Sequence, residues 1–140
     1  MKDLYNNLEV TSLLDPIAVT SIQTIDDIDL AGFNSACLVI ALGLNGGTTP
    51  SSSHQIAFVL WDSADGDTYA VVETADMLDL TVTAGAILTT DAAAKYSVTY
   101  KFGYVGGKRY LRLIGTVTGS VSAITSISLI KGHPLDAPVA

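Results

Sequence analysis

In HQIAFVLW, Ile56, Phe58 and Leu60 fall on one parity and Ala57, Val59 and Trp61 on the other. A period of two with apolar residues at the core positions predicts a strand. Tyr69–Val72 return after Asp65-Gly66, so residues 54–73 are expected to form a hairpin. SACLVIALGL (35–44) is a nearly continuous apolar run and predicts a strand covered on both sides. IDDIDLAGF predicts a strand whose acidic positions, Asp26, Asp27 and Asp29, face water and which ends at Gly32. Near the end, Ile124, Ser126, Ser128 and Ile130 alternate with Thr125, Ile127, Leu129 and Lys131 as a last strand. Residues 75–97 alternate weakly, enough for one or two short strands and a brief helical turn at Asp76-Met77-Leu78.

The stretch YSVTYKFGYVGGKRYLRLIGTVT (96–118) predicts a second hairpin. Gly106-Gly107 can both take positive φ, as a two-residue type I′ turn requires. That turn sets Val105 against Lys108, Tyr104 against Arg109 and Lys101 against Arg112. Tyr96, Val98, Tyr100, Phe102, Leu111, Leu113 and Val117 then share an apolar face, while Lys101, Lys108, Tyr110 and Arg112 share a wet, basic one. The like-charge Lys101–Arg112 pair is unfavourable in this register. Either both chains splay into solvent, or an acidic partner surface compensates them.

The remaining segments frame the domain. Residues 1–20 lack a firm period and contain Asp15-Pro16, which disfavours helix, so they are expected as an N-terminal arm. NGGTTPSSS (45–53) predicts a surface loop. Beyond Gly132, Pro134 and Pro138 are expected to end regular pairing and leave an extended tail over 133–140. The expected architecture is all-β: one β-sandwich or jelly-roll-like barrel over 21–132, with seven to nine short strands.

Composition sharpens this picture. The 140 residues are 49% hydrophobic and 15% charged, which favours a packed core over disorder. Net charge is −7, but residues 1–94 hold thirteen acids and one base, and residues 95–140 hold six bases and one acid. That polarity points to oriented contacts, and away from a broad nucleic-acid face. The aromatic-plus-cation set around Tyr110 is too small to argue for single-stranded nucleic acid. No apolar run of membrane-spanning length is present, and the start does not resemble a secretory signal. The one cysteine, Cys37, lies within an apolar run and is expected to be an inert thiol.

Candidate chemistry is sparse. Asp62, Asp65 and Asp67 cluster around Gly66, yet aligning Gly66 with the invariant glycine of a calcium loop puts Trp61 and Val72 where carboxylates belong. No nucleophile elbow, phosphate loop or H-E-x-x-H motif occurs, and His54 and His133 stand far apart in sequence. No cofactor and no enzymatic activity are expected.

GYVGGKRYLRLIGTVTGS and the closing ISLIKGHPLDAPV resemble small proteins encoded beside the major capsid protein of tailed phages and prophages. The opening MKDLYNNLEV, Asp29-Leu30-Ala31-Gly32-Phe33 and the Asp62–Tyr69 hairpin fit the same pattern, while Leu135 and Asp136 stand where that family often carries a basic residue. The resemblance implies a head decoration, or cement, protein: a β-rich knob, commonly trimeric, that binds the outside of the shell and reinforces it. Its partners would be the major capsid protein and further copies of itself, with no nucleic acid or membrane involved. Its location would be the virion surface, after assembly in a bacterial cytoplasm. Contact residues expected on this reading are Tyr5 and Leu8 in the arm, His133 and Pro134 in the tail, and Lys101, Lys108, Arg109, Tyr110 and Arg112. Two other readings are a carbohydrate- or receptor-binding module, using rings such as Trp61, Tyr69, Tyr104 and Tyr110, and a tail or head–tail joining subunit.

Overall fold

A computed structural model describes residues 4–136. Nine strands, β1 (Leu8–Val19), β2 (Gln23–Asp29), β3 (Phe33–Gly47), β4 (Gln55–Ser63), β5 (Ala70–Val71), β6 (Ala86–Thr89), β7 (Val98–Tyr104), β8 (Tyr110–Thr118) and β9 (Val121–Pro134), build two antiparallel sheets. The first has the order β1-β9-β3-β7; the second has β2-β8-β4-β5, with β6 also on β4. The chain is a β-sandwich, as its alternation predicts. Leu38, Ile40 and Leu42 of β3 and Ile127 and Leu129 of β9 are buried against Ile56, Phe58 and Leu60 of β4 and Leu111 and Leu113 of β8. Each belongs to the parity its strand turns inward.

The second predicted hairpin does not form. β7 pairs with β3 in one sheet, and β8 pairs with β2 and β4 in the other. Neither Gly106 nor Gly107 adopts positive φ, so there is no type I′ turn. Residues 105–109 instead cross between the layers. Alternation cannot separate the two arrangements, because strands facing each other across a core bury the same parity as strands side by side. Gly106 is still needed: a Cβ there would lie 2.5 Å from Cζ of Tyr104. Lys101 and Arg112 are therefore not opposed. They point outward from opposite sheets.

Three further expectations change. The supposed arm supplies β1, an edge strand paired with β9 from Leu8↔Gly132 to Val19↔Ala123. Pro16 falls in an irregular stretch between Leu14 and Ile17, where an edge strand tolerates a residue without an N–H. At the other end, pairing continues beyond Gly132 to Phe33↔Pro134. Because β1 starts opposite Gly132, nothing pairs with Pro134 on that side, and its missing donor is not called for. Residues 1–3 of the arm and 137–140 of the tail lie outside the described residues. Lastly, β3 is covered on one side only; its outward residues, Ser35, Cys37, Val39 and Ala41, are half-buried. The weak 75–97 segment yields β6 and a 3₁₀ turn at Thr74–Asp76, slightly earlier than expected.

Candidate functional site: one pole of the sandwich

The two described chain ends meet at one pole. The 3₁₀ turn Tyr5–Asn7 runs into β1, Leu8 pairs with Gly132, and Leu135 N–H donates to Gly32 C=O at 2.8 Å. Ser35 Oγ and Nδ1 of His133 are 2.9 Å apart, and His133 holds a positive φ of 52°. The β2–β3 turn joins the β7–β8 crossing through Leu30 N–H donating to Arg109 C=O at 2.9 Å. Between them lies a cleft of about 480 Å³ lined by residues 30–36 and 104–109. Val105 and Leu135 are exposed beside it, and Leu4 and Tyr5 are exposed just before β1, Tyr5 by 90%.

Beneath the pole is a buried polar tie. Asp62, on the inward parity of β4, accepts from Tyr104 Oη at 2.9 Å and from Lys108 Nζ at 2.7 Å. Tyr104 Oη also accepts from Lys108 N–H at 3.3 Å. One carboxylate thereby links a strand of each sheet to the crossing segment. Burial, then the hydrogen bond to Asp62, raises the Tyr104 phenol well above its ordinary range, and that same carboxylate raises the Lys108 ammonium.

The basic residues are largely occupied within the chain. β2 lies beside β8, bringing the acids of IDDID against KRYLR. Arg109 grips Asp29 through two nitrogens, at 2.8 and 2.7 Å, and holds that carboxyl down at about 2. Between Ile25↔Leu113 and Ile28↔Leu111, two residues of β2 oppose one of β8, and this bulge places Asp26 on Arg112. Asp27, at φ 55°, completes the bulge and accepts from Tyr69 Oη at 3.5 Å. Lys131 bonds Glu9 at 2.7 Å and Lys95 bonds Asp91 at 2.6 Å. Among the six described cations, Lys101 alone has no carboxylate partner. The charge polarity of the sequence is thus mainly an internal pairing code.

Of the sequence-expected contact residues, Tyr5, Leu8, Lys108, Arg109, His133 and Pro134 converge at the pole, with Tyr110 at its edge. Lys101 and Arg112 lie away from it on the two outer faces. Asp26, Asp29, Asp62 and Tyr104 were missed as partners of the cations; the complementary runs IDDID and KRYLR carried the only signal for it. Three of the four rings named for a sugar platform are engaged. Tyr104 is buried, Arg112 stacks 3.9 Å from the Tyr69 centroid, and Arg109 lies 4.9 Å from that of Tyr110. The Asp65 carboxylate accepts from Asp67 and Thr68 N–H and from Ser63 Oγ, which shapes the turn. No group of three or more His, Cys, Asp or Glu able to hold a metal occurs among the described residues. Nor is any described helix long and apolar enough to cross a membrane.

No known family pattern matches the chain, and no curated protein does. Among solved structures, it is similar to the VP2 subviral particle protein of infectious bursal disease virus, with 12% identity, a TM-score of 0.30 and coverage of 94% of this chain and 44% of that one. The protein of that virus's T=1 particles gives 12%, 0.29, 94% and 42%, and the Gx strain protein 15%, 0.25, 91% and 40%. The chain spans less than half the length of these proteins. Likeness at this level does not carry their roles across, and the fold stands on the strand pairing above.

Proposed function

We propose that this chain is a non-enzymatic virion structural protein that binds the outer surface of a tailed-phage head and stabilises it. The observation that carries the reading is the pole: both described chain ends, a cleft and a rim of exposed apolar side chains gather there, above charges already satisfied within the chain. Such a surface suits holding a neighbour. The resemblance of 103–120 and 127–139 to head decoration proteins supports the same reading. Binding to the assembled shell and not to free shell subunits would shift the balance toward the intact particle by mass action, with many symmetric copies adding modest contacts.

The test is co-sedimentation with heads assembled from the major capsid protein of the same genome. Wild-type chain should pellet with the heads and raise their temperature of disruption. Tyr5→Ala combined with Leu135→Asp should weaken binding about tenfold or more while the chain stays folded, as loss of central apolar contacts does at other interfaces. Absence of the chain from the pelleted heads would refute the proposal.

A further inference from the structure

The open outer face of the first sheet is matched to itself. Its register aligns the row Lys101–Val39–Ser128–Ser12 across β7, β3, β9 and β1. Directly opposed residues of antiparallel strands share a face, so this row runs along the outside. At one end is Lys101, the described cation without a carboxylate partner. At the other, Ser12 Oγ donates to Oδ1 of exposed Asp15 at 2.8 Å. Lys101 and Ser12 are three strand spacings apart, about 14 Å, so the opposite charges mark the two edges of one sheet.

Side-chain size follows the same polarity. The next row reads Gly103–Cys37–Ile130–Val10, and Gly43 lies against Ile124. Bulky Val10, Ile130 and Ile124 thus occupy the β1–β9 half, with Cys37 and Gly43 in the β3–β7 half and exposed Leu78 packed beside Gly103 at its edge. Val10 is 67% exposed and Ile124 40%.

We infer that two copies of this chain stack these faces about a two-fold axis parallel to the strands. Such an axis keeps each row at its own height and exchanges its ends, so Lys101 of each copy meets Asp15 of the other. Ile124 enters the space above the partner copy's Gly43, Ile130 packs on Cys37, and Val10 meets the exposed Leu78 beside Gly103. Sheets stacked about 10 Å apart leave room for one interdigitated side-chain layer. The contact is isologous and closed, with an ion pair at each edge. It does not depend on the head-binding reading, which concerns the pole.

Sedimentation of the full chain from micromolar to millimolar concentration tests this. A reversible species of twice the 14.6 kDa chain mass is expected. K101D and D15K should each weaken it about tenfold, and the K101D/D15K double variant should recover most of the loss, because both edges change sign together. Gly43→Val should also weaken it; a Cβ there meets Ile124 only at ordinary contact, 3.9 Å, so the monomer folds while the hollow is filled. Tyr5→Ala with Leu135→Asp should leave the mass unchanged. A monomer at every concentration, a threefold mass, or a dimer indifferent to the charge variants and to Gly43→Val would overturn the inference. So would loss of head binding by K101D in a chain that is monomeric throughout, which would assign this face to a shell protein.

Discussion

Asp62 shows how burial divides the consequences of breaking one ion pair. Its side chain is 2% exposed, whereas that of Lys108 is 43% exposed. Removing Lys108 strands a buried carboxylate; removing the carboxylate frees an ammonium that water can hydrate. Lys108→Met should therefore destabilise by about 3 kcal/mol at neutral pH, and Asp62→Asn, which still accepts from Tyr104, by about 1 kcal/mol. Urea unfolding of the two variants measures this. An equal cost for both would mean that Lys108 does not compensate the Asp62 charge.

Among the elements, β4 is paired on both edges, by β8 along one and by β6 and then β5 along the other. The β6 approach depends on Gly85, at φ +76°, whose N-terminal neighbour Ala84 also has positive φ, 50°. A Cβ on Gly85 would lie 2.8 Å from Val71 Cβ, 2.9 Å from Val59 Cγ1 and 3.0 Å from Leu60 O. Backbone conformation and space both oppose a side chain there. Gly85→Ala should cost about 2–4 kcal/mol, combining left-handed strain with overpacking. Thermal unfolding should show the drop, and Gly107→Ala, which has open space and no positive φ, serves as the control.

For the whole molecule, pairing of acids with bases sets the pH range of stability. The carboxyls of Asp29 and Asp65 are held at about 2, the first chiefly by Arg109 and the second chiefly by Thr68 N–H. Hydrogen bonds from Lys131 and Lys95 lower Glu9 and Asp91. A depressed folded-state pKa stabilises fully above the unfolded value, near 4, and that contribution disappears as pH falls through the folded one. Burial raises Tyr69, Tyr96 and Tyr104, and Asp62 raises Lys108. Their contribution is present below about pH 10 and is lost as pH climbs through the raised values. Urea midpoints should be level from about pH 5 to 9 and fall on both sides, the acid fall lying between about pH 4 and 2. A midpoint unchanged down to pH 2 would show that these pairs do not stabilise the fold.

The order of amino acids alone identifies the inward residues of the main strands. Side-chain direction has a period of two, and burial of one face fixes its parity, so Ile56, Phe58, Leu60, Leu111 and Leu113 were legible as core before any pairing was known. It also showed the concentration of acids before residue 95 and of bases after it. Which strands pair was decided only in three dimensions. Phe102 and Leu111 bury the same parity whether β7 and β8 lie side by side or face each other, and here the tie among Asp62, Tyr104 and Lys108 spans the layers at their crossing. The same tertiary choice set β2 beside β8, paired three of the four hairpin cations with Asp26, Asp29 and Asp62, and left Lys101 as the described cation without a carboxylate partner. Local pattern records which way a side chain points; which distant carboxylate it meets depends on the pairing of whole strands.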